Sequence, residues 1–480
     1  MSDDTVLSDS YVMVVGLEVH AELATATKMF SGAPNAYGAA PNTNIDPVTL
    51  GLPGSLPVLN KRAVELAIRL GLALNCTVQA SVFARKNYFY PDMPKDFQIS
   101  QYDRPIDVDG WLELPSGKRI GIERAHLEED TGKSTHVGGS GRISGADHSL
   151  VDYNRAGVPL LEIVSRPDIA SSDEARAYAA ELRAILVATG VSDGRMEEGS
   201  MRVDANVSVH RPGEPLGTRC EIKNLNSLRS LGRAVDYEAR RQVEALTAGE
   251  TIRQETRLWD EQSGRTATMR VKEDADDYRY FPEPDLVPLD PDEAWIDEIR
   301  ASLPLLPAQR REQLAQAVGA TAEYAHAVGV VVERGADELA LALIESGAPG
   351  DRVLVYVEQH LGEVDPDAVD VAAVAALVAM EVAGELTATQ AKKVLAVLLD
   401  EGGTPADIAR ELGFEAMSDD ALAATLDDVI AANPDEWERF RTGDDKTRGK
   451  LTGFFVGQVM RATSGSADGG AVTRLLRERA

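Results

Sequence analysis

Residues 201–226 have the sequence MRVDANVSVHRPGEPLGTRCEIKNLN, and the pattern within them decides which fold the chain is predicted to adopt. From Met201 to Val209, apolar residues alternate with polar ones, as is typical of a strand with one apolar and one polar face. After a connection containing Pro and Gly, the alternation resumes at Cys220 and ends at Asn226. The stretch therefore predicts a β-hairpin.

The polar face of this hairpin combines charged and amide side chains, namely Arg202, Asp204, Asn206, Glu221 and Lys223. One interpretation is a solvated sheet face with cross-strand ion pairs. However, Asp and Asn are poor strand formers, and a purely structural surface normally carries Thr, Lys or Arg at such positions. A functional site on this face is the favoured interpretation, and the solvated face remains the alternative.

The composition of the 480 residues is that of a globular protein with room for about two to four domains. The two cysteines, Cys76 and Cys220, cannot by themselves build a disulfide framework or a structural zinc site. Their small number favours a reducing compartment. Because we find neither a bilayer-length apolar run nor a basic and apolar leader, we expect a cytoplasmic protein without membrane attachment.

The charge of the chain is unevenly distributed. A formal net charge of −29 repels nucleic acid in general, so nucleic-acid binding would need a local basic patch. Residues 446–480 supply one, with seven Lys and Arg against two acidic residues. Within them, Gly453 and Gly457 lie four apart on a predicted helix, where they allow close approach of another helix or of a phosphate chain.

Polar groups recur in the N-terminal half. Residues 11–22 read as a strand with Glu18, His20 and Glu22 on one face. Residues 85–105 (RKNYFYPDMPKDFQISQYDRP) combine aromatic residues, Pro, Asp and Lys without any period. Either a functional loop or a surface loop packed by its own aromatic residues fits this composition.

Helix caps and composition predict the remaining architecture. Asn60 and Ser171 are predicted N-caps, the latter in a capping box with Glu174. Beyond about residue 290, Ala, Leu and Val dominate, and capped helices follow one another. We therefore predict an α+β fold: a β-rich N-terminal domain (1–290), an all-helical domain (291–412) and a small helical tail domain (413–480).

The acidic residues and histidine of the β-rich half predict a metal site. Residues 126–134 fail the spacing of a phosphate-binding P-loop, but they contribute carboxylates, including Glu129. Glu162 interrupts an apolar strand, so it lies either on an exposed edge or beside a cation. Together, Glu18, His20, Glu129 and Glu162 form an oxygen-rich set that suits Mg²⁺. Lys86, Lys95, Arg202 and Lys223 are candidate phosphate partners, which favours ATP-dependent phosphoryl transfer.

Several long segments resemble the motifs of the GatB-type subunits of the aspartyl/glutamyl-tRNA amidotransferases. The resemblance covers essentially the whole chain in order, and it is carried by VGLEVHAEL (15–23), RKNYFYPD (85–92), HLEEDTGKS (126–134), residues 193–206, EIKNLNS (221–227) and DDYRYFPEP (276–284). It implies that residues 1–290 form a cradle domain that holds a kinase-type site. It also implies a ligase that forms a C–N bond with glutamine as amido donor. ATP would phosphorylate the side-chain carboxylate of misacylated Glu-tRNA(Gln) or Asp-tRNA(Asn), and ammonia would then displace phosphate.

The resemblance also implies roles for residues and partners. The metal ligands would be Glu18, His20, Glu129 and Glu162, and ATP and Mg²⁺ would be the cofactors. Lys86 and Lys95 would line the route of ammonia from a separate glutaminase subunit, while a small third subunit would complete a heterotrimer. The predicted catalytic residues are Glu129, Lys86, Lys95, Asp204, Asn206, Glu221 and Lys223, and the predicted cofactor-binding residues are Arg202, Lys223 and Asn224. Misacylated tRNA would bind the tail domain.

One departure from the family pattern and one alternative function remain. Many relatives carry paired cysteines for zinc in the stretch that corresponds to residues 31–49. Here Ser31, Ala33, Asp46 and Thr49 occupy those places, so we expect no zinc. A non-catalytic tRNA-binding scaffold is the alternative function, but it would have no use for carboxylates on strand faces. The sequence leaves open whether the Gln route, the Asn route or both are used.

Overall fold

The computed structural model describes residues 11–138, 145–271, 278–319, 322–362, 364–414, 419–463, 467 and 469–480. The chain divides into two compact units, one up to Ala308 and one from Gln309 onward. Each unit has its own elements and its own hydrophobic packing, and each is described by itself.

The strands described in the structure all belong to the first unit. In chain order they are β1 (Val12–Glu22), β2 (Thr77–Val78), β3 (Ala84–Asn87), β4 (Phe97–Ser100), β5 (Asp107–Glu113), β6 (Arg119–Glu129), β7 (Lys133–Val137), β8 (His148–Asp152), β9 (Pro159–Ser165), β10 (Met201–His210), β11 (Cys220–Leu225), β12 (Glu255–Asp260), β13 (Arg265–Val271) and β14 (Phe281–Pro282). The helices of this unit are α1 (Lys61–Ala73), α2 (Ser172–Ala188), α3 (Leu228–Thr247) and α4 (Glu293–Ala301).

Most of these strands form one large sheet. Its order is β13-β12-β11-β10-β1-β9-β6-β4-β3-β14, with β5 paired to β6 and β2 paired to β5. The pairing is antiparallel except between β11 and β12, which run parallel. β7 and β8 form a separate hairpin. The hairpin predicted over residues 201–226 is confirmed, since β10 and β11 pair antiparallel.

One face of the sheet is buried and the other carries polar groups. In β1, Met13, Val15, Leu17, Val19 and Ala21 are buried in the core, whereas the residues between them are only partly covered or exposed. This alternation follows from the pleat of a strand. The buried face packs in one hydrophobic core with α1, α2 and α3, which contribute apolar residues from one side of each helix. The opposite face is therefore where functional polar groups of β1 can lie.

Local capping explains where two of these helices begin. The Asn60 side chain accepts from the backbone N–H groups of Arg62 and Ala63 and caps α1, as predicted. Ser171 likewise caps α2 by accepting from the Glu174 backbone N–H. The Glu174 carboxylate, however, accepts from the backbone N–H of Ala170 and not of Ser171, so the reciprocal half of the predicted capping box is displaced by one residue.

The second unit is helical throughout its described residues. Its helices, with one that begins just before Gln309, are α5 (Pro307–Val318), α6 (Ala325–Glu333), α7 (Asp337–Glu345), α8 (Gly350–Tyr356), α9 (Val371–Val382), α10 (Ala388–Glu401), α11 (Pro405–Glu411), α12 (Asp419–Ala432), α13 (Pro434–Thr442), α14 (Asp445–Ala462) and α15 (Gly469–Arg479). They bury two separate apolar clusters, one drawn from α5 to α11 and one from α12 to α15.

The predicted α+β class is confirmed, because a large sheet with helices precedes an all-helical region. The exact domain limits stay predictions. Ile296 and Ile299 of α4 pack into the core of the first unit, beyond the limit predicted at residue 290. None of the helices in the described residues combines the length and apolarity that crossing a bilayer requires.

Candidate functional site

Two histidines and a glutamate form a row across three neighbouring strands on the polar face. His20 of β1 lies opposite Glu162 of β9, and Glu162 lies opposite His126 of β6. The Glu162 Oε2 atom is 3.4 Å from the Nε2 atoms of both imidazoles. Glu162 is thus in the middle of the sheet and not on an exposed edge. The two histidines contact its carboxylate where the sequence predicted a cation.

The electrostatics of this row favour a charged Glu162. Burial alone would raise the pKa of Glu162, but the charges and hydrogen bonds of His126 and His20 hold this pKa well below its usual range. For His20, burial lowers the pKa, while Glu162, Asp204 and Glu128 together leave it above the ordinary value. The row therefore presents an anionic carboxylate between two imidazoles at neutral pH.

The structure places Glu128, and not Glu129, beside the row. Successive side chains of a strand point to opposite faces, so Glu128 shares the face of His126 whereas Glu129 shares the face of the buried Leu127. Ligand atoms of His20, Glu128 and Glu162 lie within 4.8 Å of one another. The four predicted metal ligands are therefore not brought together.

Glu129 instead belongs to a buried ion pair. Lys95 Nζ donates to both Glu129 carboxylate oxygens at 2.6 Å, and the backbone N–H of Ile99 donates to one of them at 2.9 Å. Lys28, whose ammonium donates to the carbonyl of Ala156, is also buried nearby, and burial lowers the pKa of Lys28 to about 8. This cluster includes both predicted residues Lys95 and Glu129 on the core side of β6.

A second acidic group lies on the hairpin itself. Glu18 is opposite Asp204, and ligand atoms of Glu18, Asp204 and Glu221 lie within 4.8 Å of one another. Lys223 Nζ is 2.6 Å from Asp204 Oδ2 and 3.3 Å from Glu221 Oε1. Burial alone would lower the pKa of Lys223, but the nearby carboxylates have the larger combined effect and raise this pKa above its ordinary value. The hairpin residues predicted to be catalytic are thus in contact with one another.

Asn206 completes this second group. Its Nδ2 atom donates to Glu18 Oε1 at 2.9 Å, which orients the amide. Its Oδ1 atom is buried and has no hydrogen-bond partner among the described residues. Glu221 is further held by Thr256, whose hydroxyl donates to Oε2 at 2.8 Å. The group therefore offers three carboxylates and a spare amide oxygen, which are the donor types that Mg²⁺ prefers.

Both groups border one cavity of about 430 Å³. Its walls bring together four acids, four cations and two histidines, namely Glu18, Glu128, Glu162, Glu221, Lys86, Arg124, Arg219, Lys223, His20 and His126. An adjoining cavity of about 370 Å³ shares Glu18 and Arg219 and is lined mainly by apolar or small residues such as Gly16, Leu17 and Leu216. Balanced charge beside an apolar recess suits a polyanion that carries a flat or apolar group.

The other predicted site residues take different positions. Lys86 lines the main cavity with its Nζ 3.5 Å from Glu128 Oε2. Burial lowers the pKa of Lys86, but Glu128 and other nearby acidic groups together raise it above its ordinary value. Arg202 donates to Asp130 at 2.7 Å, which raises the pKa of Arg202. Asn224 donates to the carbonyl of Trp259. Neither Arg202 nor Asn224 lines either cavity.

Some residues of the site were not assigned to it from the sequence, although Glu128 belongs to the carboxylate cluster of residues 128–130. His126, Glu128, Arg124 and Arg219 all line the cavity. Had residues 124–128 been read as a strand, the spacing of two would have placed Arg124, His126 and Glu128 on one face. Arg219 carries a similar signal, because it lies two residues before Glu221 and continues the polar alternation of Glu221 and Lys223. Asp276 and Asp277, at the start of one family-like segment, lie outside the described residues.

Comparison with known proteins assigns the family. Residues 13–297 match the model of the GatB/GatE catalytic domain, and residues 351–479 match the model of the GatB domain. Proteins named as the B subunit of aspartyl/glutamyl-tRNA(Asn/Gln) amidotransferase are similar throughout. The one from Kineococcus radiotolerans is 49% identical over 97% of this chain and 96% of its own length. The one from Frankia casuarinae is 50% identical over 98% of this chain and 95% of its own length. The one from Thermosynechococcus vestitus is 47% identical over 98% of this chain and 96% of its own length. The chain therefore belongs to the GatB family of aspartyl/glutamyl-tRNA(Asn/Gln) amidotransferase subunits.

Proposed function

We propose that this chain carries the ATP-dependent step of tRNA amidation. The substrate would be Glu-tRNA(Gln), Asp-tRNA(Asn) or both, and the product would be the corresponding Gln-tRNA or Asn-tRNA. The observation that carries the proposal is the pairing of two oxygen-rich ligand groups with four cations around one cavity. A scaffold that only binds tRNA has no need for this arrangement.

The residues of both ligand groups fit Mg²⁺. His20, Glu128 and Glu162 would form one site, and Glu18, Asp204 and Glu221 the other. The unpartnered Asn206 Oδ1 atom beside Glu18 is a further hard donor. When bound, Mg²⁺ would offset the negative charge of the nucleotide phosphates. Zinc would favour more nitrogen or sulfur ligands than these groups offer.

The cations of the cavity would bind and orient the phosphates. Lys86, Arg124, Arg219 and Lys223 line the cavity and can contact phosphate oxygens. In the first step, an oxygen of the substrate carboxylate attacks the γ-phosphorus, and ADP leaves with the electron pair of the broken bond. In the second step, the nitrogen of ammonia attacks the acyl carbon, and phosphate leaves with a proton from that nitrogen.

We further propose a division of labour within a heterotrimer. We infer that ammonia comes from a separate glutaminase subunit, that a small third subunit completes the assembly, and that Lys86 and Lys95 lie along the ammonia route. Lys95 and Glu129 form a buried ion pair, which brings polar groups to the core side of β6 and supports this part of the proposal. A separate glutaminase subunit fits the sequence of this chain, which offers no paired nucleophile and base for glutamine hydrolysis. The isolated chain should accordingly lack glutaminase activity.

The tail would recognise tRNA. Lys446 and Lys450 on α14 are exposed, and an added Cβ at Gly449, Gly453 or Gly457 would meet nothing within 4 Å. Packing within the described residues thus does not require these glycines, and the open surface beside the cations can accept a phosphate backbone. This supports the predicted role of residues 413–480.

The test compares the assembled heterotrimer with its Glu221→Gln variant. We expect tRNA-dependent ATP hydrolysis and amidation to fall by about 10²-fold, because the variant loses an anionic ligand of one proposed Mg²⁺ site. Glutamine hydrolysis by the glutaminase subunit serves as the internal control for assembly. If the variant hydrolyses ATP and amidates misacylated tRNA at the wild-type rate, the scaffold function becomes the better account.

A further inference from the structure

Three tyrosines that line the main cavity have no evident part in phosphate or metal chemistry. Tyr102, Tyr278 and Tyr280, here called the tyrosine stack, all line the cavity, although its other walls are mostly charged. Tyr102 follows β4, whereas Tyr278 and Tyr280 precede β14, so strands distant in sequence bring them together. Such a convergence of aromatic rings beside a polar site calls for a ligand with a flat surface.

The geometry of the stack leaves a ring available. The rings of Tyr102 and Tyr280 are parallel, with centroids 4.0 Å apart and an interplanar angle of 7°. Tyr278 meets Tyr280 edge to face at 6.0 Å, and Lys86 Nζ lies 5.1 Å from the Tyr278 ring centroid. Tyr102 nevertheless remains 48% exposed. The stack therefore ends in a partly uncovered ring that is supported from behind.

The turn between Tyr278 and Tyr280 is held in an unusual conformation. Arg279 has a φ of 47°, in the left-handed region that non-glycine residues rarely occupy. Asn87 of β3 fixes this turn, since its Nδ2 atom donates to the carbonyls of Tyr278 at 2.8 Å and of Arg279 at 3.0 Å. The two rings are thus positioned by the sheet edge and are not a chance product of loop packing.

A supported aromatic ring beside cations is the arrangement that binds single-stranded nucleic acid. Nucleobases stack on such rings, and neighbouring Arg and Lys residues contact the phosphates. Arg124 and Arg219 line the same cavity, and the guanidinium of the exposed Arg279 lies 5.4 Å from the Phe89 ring centroid. The ligand class indicated here is therefore a nucleotide with a free base face.

We propose that Tyr102, backed by Tyr280, binds the 3′-terminal base of the aminoacyl-tRNA by stacking. This rests on the proposed function and extends it. The amino acid is esterified to the terminal ribose of tRNA, so a side chain that reacts inside the cavity requires the terminal base to lie at its mouth. ATP also carries a purine, but the adjoining cavity of about 370 Å³ offers a separate apolar recess for it. Tyr102 is thus a substrate-binding residue whose role is to position the acceptor end.

The first experiment uses the assembled heterotrimer with Tyr102→Ala, Tyr102→Phe and Tyr37→Ala. Tyr37 is 83% exposed and lies outside both cavities, so it is the matched control. We expect Tyr102→Ala to raise the KM for misacylated tRNA by about tenfold, the low end of what removal of one base stack costs. The KM for ATP should not change, and Tyr102→Phe and Tyr37→Ala should resemble the wild type. A rise confined to the KM for ATP would mean that Tyr102 stacks on the base of ATP and not on that of tRNA, which would overturn the proposal.

The second experiment identifies the stacked base directly. Two stable competitors are compared: 3′-glutamylamino-3′-deoxyadenosine and the same compound without adenine. The wild type and Tyr102→Phe should bind the compound with adenine about tenfold more tightly, and Tyr102→Ala should show nearly equal affinities. An unchanged preference in Tyr102→Ala, or none in the wild type, would refute stacking at Tyr102. If Tyr102→Ala does not fold, Tyr102→Leu takes its place in both experiments, because it keeps an apolar side chain but removes the flat ring on which the base would stack.

Failure of this proposal is distinguishable from failure of the proposed function. If the wild-type heterotrimer shows no tRNA-dependent ATP hydrolysis, the proposed function itself is wrong. If wild-type activity is present but Tyr102→Ala leaves the KM for tRNA and the competitor preference unchanged, only the assignment of Tyr102 is wrong.

Discussion

Glu128 and Glu129 are adjacent in sequence, yet the pleat of β6 gives them separate surroundings. Glu128 borders the cavity near His20 and Glu162, whereas Glu129 is bound by Lys95 and the backbone of Ile99. A sequence motif of consecutive acids cannot tell which of two neighbours faces a site unless the phase of the strand is known. A shift of one residue in the phase of β6 therefore decides whether Glu128 or Glu129 is assigned as the metal ligand.

The first prediction compares Glu128→Gln with Glu129→Gln, two isosteric changes on opposite faces. We expect Glu128→Gln to weaken Mn²⁺ binding by at least about tenfold, because it removes an anionic candidate ligand. Glu129→Gln should leave Mn²⁺ affinity unchanged, since its carboxylate is engaged by Lys95. Titration of each purified variant followed by electron paramagnetic resonance measures this. The reverse ranking would restore Glu129 as the metal ligand.

Asp107 shows how a residue can cost stability away from the site. It is fully buried, and neither carboxylate oxygen has a hydrogen-bond partner among the described residues. Burial therefore raises the pKa of Asp107 well above its ordinary value. Its folded pKa exceeds its unfolded pKa, so the stability it contributes is complete below about pH 4. That stability is lost as pH rises from there toward the folded pKa.

The second prediction follows from this sign. Asp107→Asn should increase the free energy of unfolding at pH 7 by roughly 1–3 kcal/mol, and the gain should shrink toward pH 4. Asp109→Asn is the matched control, because Asp109 lies on the same strand in an exposed ion pair with Arg166 and should change stability little. Thermal or urea unfolding across pH 4 to 7.5 measures both. A gain that does not vary with pH would show that ionisation of Asp107 is not its cause.

At the scale of elements, period and caps predict much of the structure. Alternation identified β1 and the hairpin of β10 and β11, and Asn60 marked the start of α1. The pattern did not predict the register shift between Val203 and Ala205, or the left-handed Asn224 (φ 69°) in the partner strand. A bulge depends on pairing with another strand, so local sequence carries little sign of it.

The third prediction concerns the start of α1. Asn60 both caps the helix and donates through Nδ2 to the carbonyls of Thr27 and Lys28, at 3.1 and 3.2 Å. Asn60→Ala should therefore cost about 2–3 kcal/mol, more than the roughly 1 kcal/mol expected for loss of a cap alone at Ser171→Ala. Asn60→Asp, which keeps the cap and loses the donors, should fall between Asn60→Ala and the wild type. Equal losses for the two alanine variants in urea unfolding would mean that Asn60 acts only as a cap.

At the scale of the whole molecule, the fold class follows from composition, but the strand order does not. β1 lies between β9 and β10, which are more than a hundred residues away in sequence. Pairing over such separations is decided by which faces can be buried together, and no local period records it. The cavity depends on this order, because β1, β6, β9 and β11 each supply residues that line it, and β10 supplies Asp204 to the ligand group beside it. The sequence could therefore nominate most of the charged residues but not their arrangement.

The last prediction concerns the basic tail. Removal of residues 413–480 should leave the first unit folded, because the apolar cluster of α12 to α15 is separate from the core that packs the sheet. The truncated chain should still bind ATP and Mg²⁺, but its affinity for tRNA should fall. Phosphate contacts dominate nucleic-acid affinity, and each one adds to the salt dependence of binding.

A salt titration of tRNA affinity measures this effect. A full-length variant with Lys446→Ala and Lys450→Ala tests the exposed cations of α14 without removing a core. We plot the logarithm of the tRNA affinity against the logarithm of the salt concentration. The slope for the double variant should be shallower than the wild-type slope by about one unit for each cation–phosphate pair that the substitutions remove. Arg479→Ala serves as the control, since Arg479 is engaged by Asp427 and is less available to phosphate. Equal affinities and slopes for the wild type, the double variant and the truncated chain would place tRNA recognition outside the tail. The basic side chains of the tail would then be solvated and would not contact tRNA.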